Sequence, residues 1–269
     1  MTTTTACTMP DVQSQNDPRG IAIDKVGVNE LRYPITVLDP QSGKQNVAAT
    51  ISMSVSLPHH FKGTHMSRFI EVLNEFRGEL TMRTIPSLLG RLRERLNAEC
   101  AHIEVGFVYF LERAAPVTGA CGLMDYQCQF RGESDSCRSD FVLEVTVPVA
   151  SLCPCSREIS DYGAHNQRGH VKIEVRTAPN AEVIWIEDLI AIAERSASAP
   201  VYPLLKRADE RFVTMQAYDN PAFVEDIART VSAQLIADPR VAWFRVGVVN
   251  FESIHNHNAF ANISWTRPA

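Results

Sequence analysis

The sequence predicts an α+β protein of two units in series, each an antiparallel four-stranded sheet with two helices on one face. Stretches that alternate apolar and polar residues with a period of two recur along the chain. Helical periodicity interrupts them after each opening pair of strands. The resulting order, strand, strand, helix, helix, strand, strand, occurs once before about residue 135 and once after it. Residues 1–20 stand outside this pattern as a disordered N-terminal arm, with units at 21–135 and 136–269.

Each element has its own signal. Leu31–Leu38 reads as a strand, the turn-forming PQSGKQ follows, and Asn46–Leu57 sets Ile51, Met53, Val55 and Leu57 against three serines. A polar loop, PHHFKGTHMSR, leads to a helix near Met66–Phe76. A second helix over Ile85–Glu99 carries Leu88, Leu89, Leu92 and Leu96 on one face and Pro86 in its first turn. Strands at His102–Arg113 and Cys121–Arg131 complete the first unit. In the second, FVLEVTVPV at Phe141–Val149 is a strand, its C-P-C continuation a connecting loop, and Arg168–Thr177 the partner strand. A helix fits Trp185–Ser196. Asn220 as cap and Pro221 as opener place another, with Phe223, Ile227, Val231 and Leu235 on its apolar face. Strands at Ala242–Glu252 and His257–Trp265 close the chain. Sheets of this kind have open edges. Edge-to-edge pairing between units or subunits would close them into a barrel, with sites at the borders.

Composition narrows the function. A net charge of −5 and a pI near 5.9 argue against nonspecific binding to nucleic acid or an anionic membrane. No apolar run approaches the roughly 18 residues of a membrane-spanning helix, and the N-terminus lacks the layout of a signal peptide. Seven cysteines without a framework spacing imply free thiols in a reducing cytoplasm. Cys100 and Cys121, which flank a strand, read as small core residues.

The chemistry concentrates in Ser151–Val171, SLCPCSREISDYGAHNQRGHV. Cys153 and Cys155 flank Pro154, and His165 follows in A-H-N-Q-R. A thiolate and an imidazole this close form half of a first-row metal site. Pro154 biases Cys153 toward an extended conformation, and in an extended chain both sulfurs would face one space. The spacing is tighter than in structural zinc sites, so one sulfur reads as a ligand and the other as available for chemistry, with an open position for water.

Three other regions are candidates. Glu252, His255 and His257 lie in N-F-E-S-I-H-N-H-N, where the histidines could be a metal pair, a proton relay, a phosphate clamp or simply a polar turn. V-Y-P-L-L-K-R-A-D-E holds Lys206, Arg207, Asp209 and Glu210 and taken alone reads as a solvated interhelical loop, and Glu225 sits in the first turn of the next helix. The loop K-G-T-H-M-S-R offers Lys62, His65 and Arg68 before a helix N-terminus, a setting suited to an anion. No Walker or G-x-G-x-x-G motif accompanies them, so a nucleotide would not be held as in a P-loop or Rossmann fold.

Together, L-C-P-C-S-R-E-I-S-D-Y-G-A-H-N-Q-R, G-T-H-M-S-R-F, V-Y-P-L-L-K-R-A-D-E and F-E-S-I-H-N-H-N-A resemble the prokaryotic type IB GTP cyclohydrolase I, from about residue 20 to the end. The resemblance implies two tandem tunnelling-fold units that assemble as a homotetramer. It implies conversion of GTP and water to 7,8-dihydroneopterin triphosphate and formate, the entry step of folate synthesis, with a divalent metal ion, zinc or manganese. By the same resemblance Cys153, His165 and Glu210 fall on metal-associated positions and Cys155 on the essential active-site cysteine. Glu225 falls on the guanine-anchoring acid, and Glu252, His255 and His257 on further active-site positions. Lys62, His65, Arg68, Lys206 and Arg207 would supply cations for the triphosphate. Rival readings are a tunnelling-fold enzyme on another pterin or a 7-deazaguanine precursor, and a noncatalytic metal- or nucleotide-binding protein with a closed site.

Overall fold

The computed structural model describes residues 10–76 and 79–268. The elements are β1 (Ile23–Asp39), β2 (Gly43–Leu57), α1 (Met66–Glu75), α2 (Ile85–Leu96), β3 (Ala101–Ala114), β4 (Cys121–Ser134) and β5 (Ser139–Leu152). There follow α3 (Pro154–Ile159), β6 (Asn166–Thr177), α4 (Ile186–Ser196), β7 (Ala199–Pro200), α5 (Arg207–Asp219), α6 (Val224–Ala237), β8 (Val241–Asn250) and β9 (Ala259–Thr266). The main strands form one antiparallel sheet in the order β1-β2-β3-β4-β5-β6-β8-β9, with β7 paired to β5. Before the tight turn after Ser134 the order is strand, strand, helix, helix, strand, strand. After it α3 interrupts the first strand pair, and three helices, α4, α5 and α6, with the short β7, stand where two helices were expected. The two halves join edge to edge through β4 and β5, from Ser134↔Ser139 to Gln127↔Thr146.

Alternation dictates the layers. Ile51, Met53 and Val55 of β2, Ile103 and Val105 of β3, and Val171, Ile173 and Val175 of β6 are buried beneath the helices. Leu88, Leu89 and Leu92 of α2 meet them from above and are fully buried, as are Ile227, Val231 and Leu235 of α6. Truncating any one of these leucines to alanine costs about 2–5 kcal/mol. The other face of the sheet carries charge: Arg131 pairs with Glu174 and lies 3.5 Å from Glu144, which Lys172 holds at 2.7 Å.

Four expectations need correction. The first strand begins at Ile23 rather than Leu31, because a bulge at Asn29–Glu30, with Glu30 at φ 54°, breaks the phase of its alternation. Of the N-terminal arm, residues 1–9 lie outside the described residues, but the segment beyond them is docked. Lys62 N–H donates to Gln15 O at 3.0 Å and Gly63 N–H to Gln13 O at 3.1 Å. The segment after Lys206 is a helix, α5, and Asn220 is its C-cap rather than the next helix's N-cap. Cys121 is exposed, not a core residue.

The same N-terminal device opens α4, α5 and α6. Asp188, Asp209 and Asp226, each at the third helical position, accept the backbone N–H of Trp185, Lys206 and Phe223 at 3.2, 2.9 and 3.1 Å. No described helix is long and apolar enough to cross a membrane.

Candidate active site

The C-terminal ends of β5 and β8 lie at one end of the sheet, and most of the candidate residues gather there. Leu152 ends β5, and Cys153 turns the chain into α3 with φ −71° and ψ 117°. Pro154 and Cys155 are already helical, so the two sulfurs do not share one face of an extended segment as expected. Cys153 is half-buried, and its Sγ accepts the Ser156 N–H at 3.4 Å; Cys155 is exposed.

Cys153 and His165 are held together. The Cys153 N–H donates to His165 O at 3.1 Å. Ser156 closes the loop between them: its Oγ donates to Cys153 O at 3.2 Å and accepts the His165 N–H at 3.2 Å. The His165 imidazole has its Nδ1 2.9 Å from Gln167 Oε1 and 3.3 Å from Ser253 Oγ. With Nδ1–H donated to the Gln167 oxygen, the lone pair sits on Nε2, the arrangement of a metal-ligating histidine. The Ser253 contact also brings in the loop that carries Glu252, His255 and His257. That loop lies between β8 and β9 and is not strand, yet the two imidazoles stack at 5.1 Å and 13°.

Glu225 and Glu210 arrive on helices at the same end. Ala222 N–H donates to Leu152 O at 3.1 Å, which docks the start of α6, and Glu225 with it, beside the Cys153 turn. Glu210 lies in the first turn of α5, after Lys206 and Arg207. Its neighbour Asp209 is buried and clamps that turn to the β3–β4 hairpin. Asp209 Oδ1 accepts Val117 N–H at 2.8 Å and Thr118 N–H at 2.9 Å, and Oδ2 accepts the Thr118 hydroxyl at 2.6 Å. Burial alone would raise the Asp209 pKa, but the hydrogen bonds from Thr118, Lys206 and Val117 hold it well below the usual carboxylate range. The Arg157 guanidinium lies 4.5 Å over the Tyr218 ring and ties α3 to α5.

The predicted residues do not all converge within one chain. Among the described residues, no three His, Cys, Asp or Glu side chains come close enough to hold an ion by themselves. Lys62, His65 and Arg68 lie at the other end of the sheet, since Val55↔Ala101, Ala101↔Ser134 and Ser134↔Ser139 place the end of β2 where β5 begins. A strand the length of β5 separates the ends by about 45 Å. His65 there is 3.1 Å from Asp11, and Arg68 donates to Arg95 O at 3.2 Å.

Sequence reasoning gave no role to Ser156, Gln167 or Ser253, and it named Asp209 in its candidate region without the clamp it forms. Gln167 had a signal, since it stands two residues from His165 at a strand's start and so shares its face. Ser253 had none, because only the fold brings its loop to β6.

Residues 9–261 match the family described as type I GTP cyclohydrolase folE2. A GTP cyclohydrolase FolE2 of Syntrophotalea carbinolica is 57% identical over 257 residues, covering 96% of this chain and 95% of the relative. One from Syntrophobacter fumaroxidans is 55% identical, over 95% and 98% of the two chains. Among solved structures, a highly active mutant of urate oxidase from Bacillus sp. TB-90 superposes with a TM-score of 0.53 at 10% identity, over 91% of this chain and 100% of that one. Uricase from Arthrobacter globiformis gives 0.51 at 8% identity, over 91% and 93%. These two share the tunnelling fold, and at such identity they bear on architecture alone. The relatives match nearly end to end and at more than half of their positions, so the chain belongs to the type I GTP cyclohydrolase folE2 family.

Proposed function

We propose that this GTP cyclohydrolase opens the guanine ring of GTP hydrolytically at the Cys153 end of the sheet, giving 7,8-dihydroneopterin triphosphate and formate. The reaction is the first step of folate biosynthesis. The observation that carries the placement is the hydrogen-bonded pairing of Cys153 with His165, joined through Ser253 to the His255–His257 loop.

The donor chemistry suits a divalent ion. Cys153 offers a thiolate, His165 an Nε2 lone pair fixed by Gln167, and Glu210 a carboxylate on a clamped turn, a set compatible with zinc or manganese. These three do not stand close enough together in the chain to enclose an ion by themselves. Drawn together around one, they would let it supply Lewis acidity that makes water nucleophilic near neutral pH. The protein's own residues do the rest. Water adds to C8 of guanine while His255 or His257 delivers a proton to N7. Glu225 accepts the N1–H and a 2-amino hydrogen of guanine, two donors in a geometry adenine lacks. Cys155, exposed beside Cys153, serves as acid–base group or transient nucleophile.

Lys206 and Arg207 open α5 at the Cys153 end of the sheet and would meet the triphosphate from the same chain, whereas Lys62, His65 and Arg68 would reach it from a second copy. We therefore read the protein as a homo-oligomer, a homotetramer by its resemblance, whose sheets close into a barrel. The two halves, 21–135 and 136–269, are in this reading two tunnelling-fold units. The prokaryotic IB subtype rests on the C-P-C to H-N-Q motif, and a cytoplasmic setting on the free thiols. The test is anaerobic turnover of GTP by metal-stripped protein resupplied with one ion at a time, followed by pterin fluorescence. Formation of the pterin with zinc or manganese is the expected result. Absence of product with every ion would overturn the reading.

A further inference from the structure

Ser151 and Asn250 are almost completely buried, at 0% and 2% exposure, and neither belongs to the candidate site. Each nevertheless stands immediately before a site-bearing segment. Ser151 precedes the Cys153 turn by two residues, and Asn250 ends β8 two residues before Glu252.

Their side chains are bonded to each other and to a third segment. Asn250 Nδ2 donates to Ser151 Oγ at 3.0 Å, and Ser151 Oγ donates to Ala222 O at 2.9 Å. The serine hydroxyl has one hydrogen, which goes to the carbonyl, so its contact with Asn250 must be as acceptor. That fixes the orientation of the amide. Ala222 leads into α6 and Glu225. One short chain of hydrogen bonds thus ties the segments carrying Cys153, Glu225 and the histidine loop.

Gly169 makes the connection possible. The strand β6 lies between β5 and β8, and Gly169 is the register partner of Asn250. The Asn250 side chain must cross β6 to reach Ser151, and a Cβ on residue 169 would stand 2.5 Å from Asn250 Oδ1. The backbone conformation of Gly169 does not demand glycine, since it lies in regular strand without a positive φ. Its lack of a side chain is what the crossing uses.

We infer that Ser151 and Asn250, admitted across β6 by Gly169, are positioning residues that hold the guanine-binding Glu225 in register with the Cys153 turn and the histidine loop. This rests on the GTP cyclohydrolase reading and assigns these three residues a part in it. Cutting the link at Ser151 leaves the start of α6 held by the Ala222–Leu152 backbone bond alone and loosens its register, so substrate binding and turnover both change. Cutting it at Asn250 leaves the Ser151–Ala222 bond in place and frees the loop that supplies the proton.

Steady-state kinetics with GTP on metal-loaded full-length protein tests it. Wild type is measured first, because an inactive wild type overturns the underlying reading and this assignment with it. Given an active wild type, Ser151→Ala should raise KM by about fivefold or more while lowering kcat, whereas simple loss of folded enzyme lowers kcat alone. A KM within about twofold of wild type would overturn the role of Ser151. The second arm does not depend on that variant folding. Gly169→Ala and Asn250→Ala should each lower kcat/KM by about tenfold or more, and the double variant should be no worse than the poorer single, since truncation at 250 makes room for the new methyl. Losses that multiply, or singles that match wild type, would overturn the coupling.

Discussion

The backbone N–H of Cys153 and the carbonyl of His165 are hydrogen-bonded at 3.1 Å, so two residues at the ends of a turn-and-helix excursion are locked side by side by the backbone itself. The Ser156 hydroxyl, bonded to both backbones, makes the closure independent of either side chain. Removal of the side chains should therefore affect chemistry more than folding.

His165→Ala is expected to lose the bound metal and to reduce turnover by about three orders of magnitude or more, with a melting temperature near that of wild type. Gln167→Ala, which frees the imidazole to take the other tautomer, should weaken metal affinity by about 10–100-fold. Metal content after dialysis against graded chelator, read beside thermal melts, checks both. A Gln167→Ala protein with wild-type affinity would mean that Ser253 alone orients the ring.

Cys155→Ala should separate the two sulfurs. Cys155 is exposed in the first turn of α3, whereas the Cys153 Sγ is engaged by Ser156. The variant is expected to keep its metal and lose turnover by about 10²–10⁴-fold. Full turnover with full metal loading would remove Cys155 from the chemistry.

Glu225→Gln replaces an acceptor of two N–H bonds by a group that offers one acceptor and a clashing donor. KM for GTP should rise by about 10–100-fold, the cost of leaving polar groups unpaired in a binding site. An unchanged KM would show that guanine is anchored elsewhere.

Much of the fold was legible because burial on one face writes itself as alternation. The strands β2 and β3 and the leucine face of α2 are read from their residues directly. The helix α5 was not, for two reasons. Phe212, Met215 and Tyr218 stay 40–47% exposed, so its large apolar residues are not buried on the sheet and the inward side offers little more than Ala217 as a signal. Its start also lacks a conventional N-cap residue, and Asp209 at the third position does that work. At the site, the motif residues could be named from sequence, but their assembly could not. Asn250 and Ser151 are 99 residues apart, and nothing local in either records the pairing.

The separation of Lys62, His65 and Arg68 from the Cys153 end of the same sheet predicts complementation. Arg68→Ala and Cys155→Ala should each be nearly inactive alone. Co-expressed, they should assemble mixed oligomers in which some sites draw both intact residues, and activity should exceed that of either parent. Activity no greater than the sum of the parents would mean that Arg68 serves no site across a subunit border.

The seam between the two halves carries a pH dependence. Tyr109 of β3 donates to Glu187 of α4, while Arg113 and Tyr126 meet Glu194 on the same helix. Burial raises the Glu187 pKa above its ordinary 4.5, against the opposing effect of the Tyr109 hydrogen bond, and its Oε2 is buried without a partner among the described residues. A raised carboxyl pKa means that the folded chain keeps a proton the unfolded chain has released. The stabilising contribution is full below 4.5 and is lost as pH rises through the folded value. Glu187→Gln preserves an acceptor for Tyr109 and removes the titration. Its melting temperature relative to wild type should therefore climb between about pH 5 and about pH 8, the difference being smallest at the acid end. A difference that stays level across that range would show that Glu187 is ionised in the folded chain throughout, the Tyr109 hydrogen bond outweighing burial.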